Sequence, residues 1–129
     1  MHRKDLEQYI FDNMSCDSDY PWLRFPNYEV FRHKDNKKWF AIIMDIPRSK
    51  LGIKENGIID VVNFKCDKII MGSLLNEPGI FPAYHMNKSN WITVALDGSV
   101  SDDTVIRLLG LSYDITAPKL KKNIPDISR

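Results

Sequence analysis

The run Trp39-Phe40-Ala41-Ile42-Ile43-Met44 constrains the fold more than any other segment of the chain. It is apolar at every position, and its aromatic and β-branched residues favour a strand over a helix. Such a strand has no face to give to water, so it needs cover on both sides and a place in mid-sheet. A chain of 129 residues, 43% of them hydrophobic, can supply that cover from one core without disulfide or metal staples. No stretch of the sequence approaches the roughly 20 apolar residues of a membrane-spanning helix, and no membrane association is expected.

The flanking pattern supplies neighbours for this strand. Glu29–His33 reads as an extended run, joined to Lys38–Asp45 by the polar turn Lys34-Asp35-Asn36-Lys37. After Pro47, Ser49–Ile53 reads as another strand. Asn56-Gly57 tolerates positive φ and reads as the hairpin turn leading into a strand over Ile58–Cys66. Together these segments predict an antiparallel meander.

Helical spacing covers residues 3–14, with Leu6, Tyr9, Ile10 and Met14 inward. The aspartate-rich segment Ser15–Asn27 reads as a loop in which Trp22, Leu23 and Phe25 tuck against the core. Asp67 is a helix cap, and Ile70, Met71, Leu74 and Leu75 form the inner face of the short helix behind it. Phe81–Tyr84 and Asn90–Asp97 read as a further extended pair. Ser101-Asp102-Asp103 then caps a last helix with Val105, Leu108 and Leu109 inward. The predicted class is α+β: an antiparallel sheet with hairpin wings, packed by helices, over residues 1–116. A basic, proline-containing tail, residues 117–129, carries Lys119, Lys121 and Lys122.

The net charge of +1 conceals an asymmetry. Up to Glu29 the chain carries Asp5, Glu7, Asp12, Asp17, Asp19 and Glu29 against Arg3, Lys4 and Arg24. The β-rich stretch reverses this, with Arg32, Lys34, Lys37, Lys38, Arg48, Lys50 and Lys54 against Asp35, Asp45 and Glu55. Basic hairpin tips can contact phosphates, and Asn36 or Asn56 can then meet a base edge. The plainer account of turn lysines is solvation and protection of sheet edges. Neither a helix-turn-helix nor a zinc-finger spacing is present in the sequence.

Few residues suggest other chemistry. Cys16 and Cys66 are far apart and outside any metal-ligand spacing, and with no export signal they read as reduced thiols in a cytoplasm. Cys66, just before a helix start, is the better thiolate candidate; a small core residue is the simpler account. His2, His33 and His85 lack ligand spacing, so neither a metal nor a cofactor is expected. The acidic residues Glu7, Asp12, Asp17 and Asp19 invite comparison with an iron-binding edge, but a solvated face explains them more simply.

The most distinctive run is Tyr84-His85-Met86-Asn87-Lys88-Ser89-Asn90-Trp91, a polar corner between two extended segments. It matches a Tyr-His-x-Asn-Lys-x-x-Trp pattern at Tyr84, His85, Asn87, Lys88 and Trp91, and so resembles the MmcQ/YjbR family. The resemblance extends through Tyr20-Pro21, Trp39-Phe40-Ala41 and Asn63-Phe64-Lys65-Cys66-Asp67, over about residues 3–116. The segment from Pro47 to Gly57 is longer than the family's usual turn. The resemblance implies a CyaY-like (bacterial frataxin) fold and a DNA-binding role through a double-wing arrangement of hairpins.

Two functions are therefore expected. The leading one is weak, salt-sensitive DNA binding without catalysis, through Lys34, Lys37, Lys38, Arg48, Lys50, Lys54 and Lys88. The alternative is a module for a small anionic ligand or a protein partner, using the His85–Lys88 corner as its pocket. An enzyme using His85 as acid or base is the least supported, because no nucleophile is identifiable and no catalytic set emerges. If the corner is structural instead, Tyr84, His85 and Asn87 brace it while Trp91 fills the core.

Overall fold

The structure is a computed structural model that describes residues 1–119. Its elements run α1 (Arg3–Asn13), β1 (Cys16–Asp19), β2 (Glu29–His33), β3 (Trp39–Pro47), a 3-10 turn (Arg48–Leu51), β4 (Ile58–Lys65), α2 (Lys68–Leu74), β5 (Ile80–Pro82), β6 (Trp91–Ala95) and α3 (Asp102–Thr116). The strands form one sheet of six, in the order β1-β2-β3-β4-β6-β5, and each neighbouring pair is antiparallel. The fold is α+β, as the sequence predicts.

Strand β3 lies inside the sheet, hydrogen-bonded to β2 on one side and β4 on the other. Its alternate side chains divide between two cores. Phe40, Ala41 and Ile43 join Leu6 and Ile10 of α1, Met71 of α2 and Val105, Leu108 and Leu109 of α3. Phe40 and Ala41 fall on the same side because the β2–β3 register shifts between Phe31 and Arg32. Ile42, Met44 and Ile46 point the other way, into a cluster with Tyr28, Val30, Ile59, Val61, Ala83, Trp91 and Ala95. Among the described residues, that second cluster contains no residue of α1, α2 or α3. The helices cover one face, and irregular segments cover the other.

The helix ends follow local chemistry. Ser101 Oγ accepts from the Thr104 backbone N–H at 3.2 Å, and Asp67 Oδ1 accepts from that of Ile69 at 2.9 Å. At α1 the His2 N–H donates to Asp5 at 3.0 Å. The terminal amine of Met1 pairs with Asp102 at 2.9 Å, joining the starts of α1 and α3.

Five expectations need correction. Residues 49–53 form no strand: Arg48–Leu51 is a 3-10 turn, closed by Gly52 at φ 75°. Asn56-Gly57 is accordingly not a two-residue hairpin but the end of a longer excursion between Pro47 and Ile58. Gly57 (φ 102°) lies against Arg48, whose Nη1 donates to the Asn56 and Ile58 carbonyls at 3.3 and 3.0 Å. That guanidinium holds the loop together where a turn was predicted to do so.

Within the Ser15–Asn27 segment, Cys16–Asp19 is an edge strand paired with β2. Pairing and the Arg32–Asp19 ion pair at 3.1 Å override the poor strand propensity of aspartate. In the same segment Leu23 does not tuck inward and is 98% exposed. On α2 only Met71 is buried; Leu74 and Leu75 are half-buried, and Ile70 is exposed. Lys121 and Lys122 of the tail lie outside the described residues.

Cys66 is buried, and its thiol is pushed up by burial and by the Asp67 charge, the opposite of an activated thiolate.

Glu29 is a buried carboxyl under α1, with its side chain 4% exposed. Its Oε1 has no hydrogen-bond partner among the described residues, and Arg3 Nη2 stands 3.9 Å away. Burial first, and the neighbouring Glu7 carboxyl second, push Glu29 up to about 7. The folded state keeps a proton that the unfolded chain releases from about pH 4.5 upward. The stabilisation that this proton brings is therefore complete below that value and is lost as pH rises through about 7. Urea unfolding at a series of pH values should show the native chain losing stability between pH 5 and 8 relative to Glu29→Gln. Parallel pH profiles for the two proteins would refute this assignment.

Candidate functional site

On the helix-free face, the sheet and two irregular segments enclose an open cleft of about 270 Å³. Its floor is Ile42 and Met44 of β3 and Asn63 of β4. Its walls are Trp22, Phe25 and Tyr28 from the segment preceding β2, Trp39 at the start of β3, and His85 and Met86 from the corner between β5 and β6. Apolar walls with a few polar groups at fixed positions are the usual make-up of a small-molecule site.

The aromatic rings hold one another in place. Phe25 stacks on Tyr28 at 4.6 Å and 14°. Trp22 meets Tyr28 edge-on at 6.0 Å and Trp39 edge-on at 5.7 Å. The backbone that carries Trp22 and Phe25 is tied down at its far end, where Asn27 Nδ2 donates to Asp45 at 2.9 Å and Arg3 donates to the Asn27 carbonyl at 2.5 Å. Burial first, then the neighbouring Tyr84 and Asp45, push the Tyr28 hydroxyl up to about 12, so it stays protonated at neutral pH.

The corner is built on a closed ring of buried hydrogen bonds. Asn63 Nδ2 donates to the Tyr84 carbonyl at 2.8 Å, the Tyr84 N–H donates to Thr93 Oγ1 at 2.9 Å, and the Thr93 hydroxyl donates to Asn63 Oδ1 at 2.5 Å. This ring fixes the backbone just before His85, which adopts φ 67°. A left-handed conformation costs a non-glycine residue about 1–2 kcal/mol, although histidine accepts it more readily than most. The result is an exposed imidazole 4.2 Å from the Tyr84 ring and 5.9 Å from Phe25, on the rim of the cleft.

The remaining motif residues hold the corner rather than face the cleft. Asn87 Oδ1 accepts from the Ser89 N–H at 2.8 Å, and Trp91 is buried on β6. Lys88 Nζ donates to the Ala83 carbonyl at 2.9 Å. A charge-assisted bond of this kind contributes about 1.5–3 kcal/mol, so Lys88 gives up a structural bond if it turns to an anion.

The structure does not gather the basic hairpin residues. Lys34, Lys37 and Lys38 flank the β2–β3 turn, whereas Arg48, Lys50 and Lys54 lie in the β3–β4 excursion. These are opposite ends of β3, whose nine residues span roughly 25–30 Å. Lys37 faces Asp17 at 3.7 Å, and Arg48 is bound to its own loop. Asn36 is likewise occupied: its amide donates to the Thr116 carbonyl and accepts from the Lys38 N–H, each at 2.9 Å. Lys34, Lys38, Lys50 and Lys54 are exposed and make no ion pair among the described residues.

Sequence reasoning placed His85 at the site but missed Trp22, Phe25, Tyr28, Trp39 and Asn63 as its companions. The available signal was the density of aromatic residues between Tyr20 and Trp39, which reads equally well as core. Removing Asn63 tests how far the corner depends on the buried ring. Asn63→Ala leaves the Tyr84 carbonyl without its donor and the Thr93 hydroxyl without its acceptor, and should lower stability by about 1–3 kcal/mol in urea unfolding. Hydrogen exchange at the Tyr84 amide should accelerate with it. Unchanged exchange there would separate the corner from the ring.

Comparison with known proteins agrees with the architecture. The uncharacterised protein YyaQ of Bacillus subtilis (strain 168) is 36% identical over 114 residues, covering 88% of this chain and 97% of that protein. A crystal structure from Pseudomonas syringae is 43% identical, with a TM-score of 0.88 over 91% of this chain and all (100%) of that one. A solution NMR structure from the same organism is 42% identical, with a TM-score of 0.84 over 93% of this chain and 96% of that one. The DR2400 protein of Deinococcus radiodurans, 23% identical with a TM-score of 0.69 over 92% of this chain and 80% of that one, shares the fold. The YjbR family model matches residues 15–115, and with the relatives above it shows that the chain belongs to the YjbR family.

Proposed function

We propose that the chain is a binding module that takes a small ligand with a flat ring into the cleft on its helix-free face. The observation that carries this reading is the arrangement of Trp22, Phe25, Tyr28, Trp39 and His85 around one cleft of about 270 Å³. Flat rings gain by stacking edge-on or offset against such walls, at about 0.5–1.5 kcal/mol per aromatic pair beyond simple burial. Among the described residues that line the cleft, the titratable side chains are Tyr28 and His85, and the lining includes no carboxylate or thiol. That supports binding over catalysis.

Duplex DNA binding through the hairpin tips is the second reading. The exposed Lys34, Lys38, Lys50 and Lys54 favour it. Because the tips stand at opposite ends of β3, a duplex must span the sheet to meet both, or rest on one tip with few phosphate contacts. Either arrangement gives weak binding with a shallow salt slope.

A thermal-shift panel of free rings, with adenine, indole and nicotinamide as probes, separates the two readings. A ring present at a hundred times its Kd adds about 2.7 kcal/mol to stability and raises Tm accordingly. Trp39→Ala should abolish the shift, whereas Lys50→Ala with Lys54→Ala should leave it unchanged. If no ring raises Tm while duplex DNA binds with a salt slope that the lysine variants remove, the tips are the site.

A further inference from the structure

Resting on the cleft reading above, we propose that the ligand is a 5′-mononucleotide, with its base in the cleft and its phosphate on Lys38 and Lys65. The cleft has a neighbour on the far side of Trp39 and Met86. Both residues also line a second, more open hollow of about 390 Å³, whose other walls are Lys38, Lys65, Trp91 and, from the end of α3, Ile115 and Thr116. The two spaces adjoin at Trp39 and Met86, so a ligand lying across that boundary meets aromatic rings on one side and two lysines on the other.

Strand register places the second lysine. Along β4, Val61 and Asn63 face the helix-free side and Phe64 the helices, so Lys65 emerges on the side of the cleft. It pairs with Trp91 across β4 and β6, and its ammonium stands 5.7 Å from the Trp91 ring. The ring face attracts that ammonium and holds Lys65 along the wall of the hollow. Lys38 reaches the same hollow from the start of β3. Arg32 adds positive potential nearby, its guanidinium 5.1 Å from the Trp39 ring, while Asp19 holds it back at 3.1 Å.

The side chains around this paired site favour an anion, against the carbonyl end of α3 that Ile115 and Thr116 bring to the hollow. Among the described residues that line its two halves there are two lysines and one histidine, and no aspartate or glutamate. Lys38 and Lys65 make no ion pair among the described residues. A ligand that satisfies both ends has a flat ring joined to a strongly charged group by a short polar spacer, which is the chemistry of a nucleoside monophosphate. The cleft, at about 270 Å³, takes one ring system rather than a row of bases, which favours a free mononucleotide over a strand.

NMR titration of the labelled chain with the four ribonucleosides and their 5′-monophosphates tests this. At least one monophosphate should bind ten times more tightly than its nucleoside, and this gain should shrink as salt is added. Lys38→Ala with Lys65→Gln should remove the gain and leave nucleoside affinity unchanged; the variant's spectrum reports directly whether it is folded. Equal affinity for nucleoside and monophosphate, or a gain that survives the double variant, overturns the phosphate assignment while the cleft reading stands. Perturbation by neither set overturns the cleft reading itself. A single-stranded tetranucleotide that binds ten times more tightly than the mononucleotide overturns the assignment to a free nucleotide.

Discussion

Strand β3 is apolar on both faces, and the helices cover only one of them. On the helical side Phe40 and Ile43 meet α1 and α3 in a continuous core. On the other side Ile42, Met44 and Ile46 are sealed by whatever the connections can bring. Helices pack onto a sheet as broad ridges and exclude water along their length. Two irregular segments cover the sheet as separate patches, and the aromatic rings they carry stack or meet edge-on while leaving space between the patches. The cleft is a consequence of that unequal cover. Its aromatic character follows too, because only large side chains reach the sheet from a loop tied down at its ends.

Much of this was legible in the sequence. The uninterrupted apolar run of β3 required cover on both faces, and the Ser101 and Asp67 caps placed α3 and α2. The failures lie where tertiary partners decide. Nothing local in Cys16-Asp17-Ser18-Asp19 favours a strand; it pairs because the β2 edge is open and Arg32, opposite Asp17, reaches diagonally to Asp19. Asn56-Gly57 carries strong turn chemistry, yet an arginine eight residues earlier closes the loop and moves the reversal. A side chain bonding to carbonyls across a loop leaves no periodic trace.

The site was legible only in part, for a related reason. The Tyr84–Trp91 motif announced a special corner, and the structure shows why its residue types are needed. Asn63 and Thr93 fix the peptide at Tyr84, Lys88 ties back to Ala83, and His85 takes the left-handed turn that leaves its ring exposed on the rim. Most of the motif is thus construction, and His85 is the member it presents. The partners of that ring come from a segment some 60 residues earlier, whose aromatic residues have no spacing that marks them as a wall. The basic tips were the opposite case: conspicuous in sequence, but set at opposite ends of one strand by the meander.

Which surface of the sheet meets a ligand decides between the aromatic cleft and the hairpin tips. The most direct measurement is a map of NMR shift changes on the native chain, recorded once with a bound mononucleotide and once with duplex DNA at low salt. The indole N–H signals of Trp22 and Trp39 and the backbone of His85 and Met86 should move with the nucleotide, while residues 48–57 stay still. Movement confined to residues 34–38 and 48–57, with the indoles silent in both titrations, would contradict the cleft reading.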